Sequence, residues 1–181
     1  TRPDARDYMG LPYEERDWHK LVGGEARGLR IGLMPEIGYG TKPQPAVKAA
    51  IEAAAKLFES AGAKVEPVQP FLTEAMIMGL NTLFQARGWA DFEKMPPERQ
   101  AKVIPFIAQW CSGAKERSAA DAMRGLAQVF AMREAAVNAT QPYDFLLAPT
   151  SPITAYDAEE ACPGNDTARA MNHLCFTAPF N

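Results

Sequence analysis

The stretch YDFLLAPTSPI (residues 143–153) carries the reading of this sequence. Its four apolar residues, Phe145 to Ala148, run straight into Pro149, Thr150, Ser151 and Pro152. A short apolar run closed by prolines predicts a buried strand ending at a loop. Proline has no N–H to give to a ladder, so Pro149 and Pro152 stop the pairing. The hydroxyls of Thr150 and Ser151 are left at the strand's carboxyl end, where open α/β sheets hold their ligands.

Working outward, LRIGLM at 29–34 predicts a strand and Gly38-Tyr39-Gly40 a loop. A helix follows from about Pro45, with Val47, Ala50, Ile51, Ala54, Phe58 and Ala61 at helical spacing. Pro45 suits its first turn and Gly62 its C-terminal cap. KVEPV at 64–68 is the next strand, and Pro67 predicts an edge position or an early end. Strand, helix and strand in this order make a parallel, right-handed βαβ-like unit. In the long helical middle, Thr73 caps a helix carrying Met76, Ile77, Leu80, Leu83 and Phe84. Pro96 and Pro97 then break the chain. Residues 98–111 resume as a helix, with Pro105 as a kink or a first turn. Ser118 and Asp121 form a capping box that opens one helix of about 20 residues, with Met123, Leu126, Ala127, Phe130 and Val137 as its apolar stripe. After the 143–153 stretch, a loop with Pro163-Gly164-Asn165 leads to a last helix from Thr167 to about Cys175. The fold class is α/β.

With 181 residues, a net charge of −3 and 47% hydrophobic residues, the chain suits one soluble globular domain with its own core. The slight acidity gives no reason to expect a nucleic-acid partner. No run approaches the ~20 apolar residues of a membrane-spanning helix, so no membrane partner is expected. The polar opening TRPDARDYMG does not read as a signal peptide. Cys111, Cys162 and Cys175 are widely spaced and odd in number, which predicts neither a disulfide framework nor a metal site, and a cytoplasmic location is the default. Residues 1–27 form a polar connecting segment with turns at Arg2-Pro3-Asp4, Leu11-Pro12 and Gly23-Gly24. Tyr8, Tyr13 and Trp18 within it are expected to anchor it to a neighbouring surface.

Few residues read as chemical machinery. His19 sits among charges and is expected to be solvated. His173 lies beside Leu174 and Cys175 and is expected to pack or hydrogen-bond, since no HExxH-type partner accompanies it. Cys111 and Cys175 are expected to be inert buried thiols and Cys162 the more exposed one. Gly38-Tyr39-Gly40 lacks the full glycine pattern of a phosphate cradle, and there is no GxSxG elbow. The motifs make no complete catalytic set and imply no metal and no cofactor. From the residues alone, a small-molecule (solute) binding domain without catalysis stays open, as does a helical interaction protein. The first fits LRIGLMPEIGYG before a helix; the strands at 29–34 and 143–148 weigh against the second.

The order of segments resembles the C-terminal portion of an amidase-signature hydrolase, truncated before and after. The resembling pieces are TRPD at 1–4, GLRIGLMPE at 28–36, the helix ending in SAGAKVEPV, YDFLLAPTSPI, and FTAPFN at 176–181. The resemblance implies a mixed β-sheet layered between helices, with residues 28–181 as the C-terminal part of a single α/β domain. It implies hydrolysis of a carboxylic amide, in some members an ester, through a Ser–Ser–Lys triad that lies upstream of this chain. No Gly-Gly-Ser-Ser-Gly segment is present, and Lys42, Lys48, Lys56 and Lys64 sit in the wrong segments, so no catalytic residue is carried over. Thr150, Ser151 and Pro152 match the loop beside the family's acyl pocket, and Phe176 and Thr177 match the segment that flanks it. The alternative for Thr150 and Ser151 is capping of backbone groups at the turn. In glutamine-using members of the family this chain resembles, an Asp three residues before the Thr matching Thr177 helps hold the substrate. Leu174 stands there, which implies a less polar amide substrate. Residues 71–140 are the expected wall of the substrate funnel, although core packing accounts for most of them. A part of one core would also expose apolar surface and self-associate.

Overall fold

The computed structural model describes all residues except 1, 2, 8, 9, 11, 22 and 181. Expectations that fall on Arg2, Tyr8 and Leu11, and on the final Asn181, lie outside the described residues. The strands are β1 (Arg30–Leu33), β2 (Lys64–Pro67) and β3 (Phe145–Leu147), and the helices are α1 (Pro45–Ser60), α2 (Glu74–Phe92), α3 (Pro97–Gln100), α4 (Pro105–Ser112) and α5 (Ala119–Thr140). The sheet has the order β2-β1-β3, and both pairings are parallel, with Ile31 opposite Val65 on one side and Phe145 on the other. This is the α/β class the sequence implies. Pro67 ends β2, and β2 is an edge strand, so both readings of that proline hold.

Local signals act where they are written. Pro45 opens α1, and Gly62 follows its end at φ 91°, a left-handed conformation that glycine adopts without a Cβ penalty. Thr73 accepts the Met76 N–H at 3.4 Å to cap α2. Ser118 and Asp121 close both bonds of the capping box on α5. That contact holds the Asp121 carboxyl well below the usual carboxylate range, through the Ser118 hydroxyl and N–H and the Arg124 guanidinium.

Strand β1 shows its two faces. A Cβ on Gly32 would stand 2.6 Å from Val68 and 2.7 Å from the Tyr143 ring, so that face is filled by backbone approach. The same side holds the main core, where Met34, Ile37, Val68 and Leu72 meet Ile77 of α2, Met132 of α5, and Met171, Cys175 and Phe176. Met34, Ile77 and Cys175 are completely enclosed. A side chain such as Ile77 contributes roughly 1.5–3 kcal/mol by leaving water. Ile31 and Leu33 face the other way, toward α1, whose Ala55 is buried beside Leu33 and Val65.

Helices α2 and α5 cross at two glycines. The Gly79 carbonyl oxygen lies only 2.8 Å from where a Gly125 Cβ would be. Helix α4 packs on α2 through a polar clamp: the Trp110 ring N–H donates to Asn81 at 2.9 Å, and Gln85 donates to the Trp110 carbonyl at 2.9 Å. Asn81→Leu keeps the branched shape but leaves the indole N–H without its acceptor. The expected cost is about 1–3 kcal/mol, read as a lowered thermal midpoint with unchanged far-UV circular dichroism. An unaltered midpoint would mean that water replaces Asn81.

Several expectations are corrected. Residues 98–111 are not one continuous helix; of the two readings of Pro105 the first turn holds, since it opens a new helix after Ile104 is pushed to an extended conformation (ψ 127°). Of the stripe Met123, Leu126, Ala127, Phe130 and Val137, all but the half-buried Leu126 are exposed, Met123 by 63% and Phe130 by 60%. The face that meets α2 is the one bearing Gly125, because glycine lets the backbones touch. Strand β3 is an edge, and Phe145 is 62% exposed rather than buried. Residues 167–175 form short 3-10 turns, Thr167–Arg169 and Asn172–Leu174. The Asn172 carbonyl is diverted there to the Thr41 N–H at 3.0 Å, out of any helical ladder. Cys162 is buried, its thiol against the Asp166 carbonyl. Among the described residues of the connecting segment, the one regular element is the turn Trp18–Leu21. Tyr13 is 54% exposed and Trp18 66%, so neither ring is buried against a neighbouring surface.

Candidate functional site

A cleft of about 400 Å³ opens at the carboxyl end of β3. It is lined by Leu146 and Ala148 from the strand and its exit, by Pro149 and Thr150 from the loop, and by Phe176, Thr177 and Phe180 from the C-terminal turns. Two segments far apart in sequence thus meet at one place. Prolines end the strand and turn the chain outward, while the buried pair Cys175 and Phe176 holds the second segment against the core.

The structure divides the sequence-derived residues. Thr150 is exposed on the cleft wall, and its hydroxyl has no protein partner among the described residues. Phe176 is buried and forms the floor; Thr177 is half-buried and donates its hydroxyl to the Leu174 carbonyl at 3.2 Å. Ser151 is turned away. Its hydroxyl donates to the Ile153 carbonyl at 2.9 Å and accepts the Ile153 N–H at 3.3 Å, a local turn of its own. Pro152 is fully buried, and its carbonyl accepts the Gln44 N–H at 2.8 Å. The Gln44 side chain then receives both the N–H and the hydroxyl of Thr154, tying the loop to the start of α1. Ser151 and Pro152 therefore fix the loop that presents Thr150.

Sequence reasoning missed Leu146, Ala148 and Phe180. The signal for the first two was the strand itself, since residues nearest its carboxyl end reach the site. Phe180 lies three residues beyond Thr177 in FTAPFN.

Other reactive groups stand apart. Burial pushes the Cys175 thiol up to about 11. Burial also raises Cys111 and Cys162. His173 packs edge-on against Tyr156 at 5.9 Å, and burial holds its pKa below the ordinary value. His19 is exposed. Gly38 and Gly40 serve close packing: a Cβ would stand 2.4 Å from the Leu72 carbonyl oxygen at one and 2.5 Å from the Cys175 Cβ at the other. No helix of the described residues is long and apolar enough to cross a membrane.

A parallel sheet backed by helices, with a cleft where one strand ends, is an α/β architecture of the kind that holds ligands at strand ends. The family model for Amidase matches residues 1–181, and the chain belongs to that family. Its sequence is similar to one component of the glutamyl-tRNA(Gln) amidotransferase of Thermosynechococcus vestitus, with 27% identity over 187 residues, 87% of this chain and 37% of that protein. The same amidotransferase component of Heliobacterium modesticaldum is 39% identical over 62 residues, 34% of this chain and 12% of that protein. Among solved structures, a bacterial aryl acylamidase of the amidase-signature family superposes with a TM-score of 0.74 at 18% identity, covering 98% of this chain and 40% of that one. The chain thus spans well under half the length of these relatives.

Proposed function

We propose that this chain is part of an amidohydrolase that cleaves a carboxylic amide, or an ester, through a Ser–Ser–Lys triad carried by the remainder of its parent protein. In this reading residues 28–181 are the C-terminal part of one amidase-type domain, and the chain supplies scaffold and one wall of the substrate pocket. The observation that carries it is the meeting of Thr150, Phe176 and Thr177 in one cleft at the end of β3, in a chain of the Amidase family. No charged side chain lines this wall. Leu174, three residues before Thr177, packs against the core. Both features favour a less polar acyl or amine group over glutamine.

The test is a pair of substitutions in the parent protein. Thr150→Val removes an exposed cleft hydroxyl at nearly constant volume. It is expected to shift KM or acyl preference by up to about 1–3 kcal/mol of transition-state binding while folding stays intact. Ser151→Ala removes both bonds to Ile153 and is expected to lower the thermal midpoint with the selectivity profile unchanged. If Thr150→Val leaves selectivity over a panel of amides untouched, the pocket reading fails.

A further inference from the structure

Helix α5 carries two opposed apolar faces. One holds Gly125, Met132 and Ala136, which are buried, and meets α2 at Gly125. The other holds Met123, Ala127, Phe130 and Val137, all of them exposed. With Glu134 these residues recur at alternate spacings of four and three, running Met123, Ala127, Phe130, Glu134, Val137. That is a repeat of about 3.5 residues, the seam along which one helix lies against another. A helix already held to its own domain by one face needs no second seam, so this one points to a partner. Beside its C-terminal half runs a groove of about 360 Å³, lined by Phe130, Arg133, Val137 and Thr140 of α5 and by Ala178 and Phe180 of the last turn.

The seam is complementary to itself when reversed. With a two-fold axis passing between Gln128 and Val129, Phe130 lies over Ala127 of the second copy, a large side chain against a small one. Met123 of the second copy then enters the hole formed by Phe130, Arg133, Glu134 and Val137, and three of those four residues line the groove. On the flank, Glu134 comes beside Arg124 of the second copy, whose side chain stays 70% exposed while it bridges Asp121. A parallel pair would set Phe130 on Phe130 and the Glu134 carboxylate on its own copy, which repels. We propose that the protein forms a homodimer by pairing α5 antiparallel with α5 of a second copy, each contact occurring twice. Helix α5 has 22 residues and is about 33 Å long. A contact confined to one helix and the turn beside it falls at the low end of specific interfaces, so the dissociation constant should be on the order of micromolar. The contact does not involve the sheet and does not depend on the amide chemistry.

The experiment is sedimentation of this chain and of the parent polypeptide over a concentration series; where the two differ, the parent decides. A reversible monomer–dimer equilibrium is expected. Phe130→Asp places an unpaired charge in the seam and should raise the dissociation constant more than tenfold with unchanged far-UV circular dichroism. Leu57→Asp, at a 70% exposed position of α1, should change it less than twofold. Cysteine pairs then read the direction, because Cys111, Cys162 and Cys175 are buried. Met123→Cys mixed with Glu134→Cys should oxidise to a crosslinked dimer, and neither variant should crosslink by itself. This readout stands even if Phe130→Asp perturbs folding. The proposal is overturned if the parent stays monomeric well above micromolar concentration, or if its dimer is indifferent to Phe130→Asp and the mixed cysteines do not crosslink. Met123→Cys crosslinking to itself would mean a parallel pair and would also overturn it. So would association lost with Phe145→Asp and untouched by Phe130→Asp, which would place the contact at the sheet edge.

Discussion

Gly125→Val is expected to lower the unfolding free energy by about 3 kcal/mol, the upper end for overpacking. The added Cβ would stand 2.8 Å from the Gly79 carbonyl oxygen and 3.5 Å from Leu83. A flexible side chain could swing aside; a helix backbone cannot without moving α2 off α5. Helix propensity works the other way, since valine is a better helix former than glycine by roughly 0.4 kcal/mol. That gain is several-fold smaller than the clash, so the clash decides the sign. For a domain of this size the thermal midpoint should fall by about 6–12 °C. Gly24→Ala is the control: nothing lies within 4 Å of its new Cβ, and the midpoint should stay nearly unchanged. Equal midpoints for Gly125→Val and the wild type would show that the helices are free to separate, and the close crossing would be refuted.

That crossing also explains what sequence reading could and could not reach. Punctuation was legible because its causes are local. Pro45, Gly62, Thr73, Pro67 and the Ser118–Asp121 box act through their own backbone and a neighbour three or four residues away. Periodicity was less complete as a guide. It grouped Met123, Leu126, Ala127, Phe130 and Val137 on one face of α5, yet said nothing of whether that face meets α2. Contact went to the face with Gly125, where the backbones approach most closely. The same limit applies to β3. Its apolar run identifies a strand, but only the sheet order makes it an edge and leaves Phe145 exposed. At the site, resemblance by segment order picked out both walls of the cleft, Thr150 on one and Phe176 with Thr177 on the other. It could not separate Thr150 from Ser151, because the direction of a hydroxyl is settled by its bonding partner. For Ser151 that partner is Ile153, two residues away.

The chain by itself is expected to turn over no amide. Nucleophilic catalysis needs a hydroxyl or thiol activated by a base within hydrogen-bond reach. The four serines, Cys175 and the two cleft threonines each fail on their partner. The Cys175 thiol, pushed up to about 11, stays protonated at neutral pH and is directed at the Thr41 carbonyl. Ser60, Ser112, Ser151 and Thr177 give their hydroxyls to backbone carbonyls. Ser118 does meet a carboxylate, donating to Asp121 at 2.6 Å. That carboxyl is held well below its usual range, which makes it a weak base, and the pair caps a helix outside the cleft. Thr150 faces the cleft without a base beside it. Loss of a complete Ser-based catalytic set costs about a million-fold in kcat, which places any residual turnover below ordinary detection. The measurement is an assay of the purified chain with aliphatic amides, aromatic amides and a chromogenic ester, repeated after a second purification. Activity that tracks with the chain through both preparations would mean that a nucleophile–base pair exists within these 181 residues, and the assignment of the chemistry to the rest of the parent would be wrong.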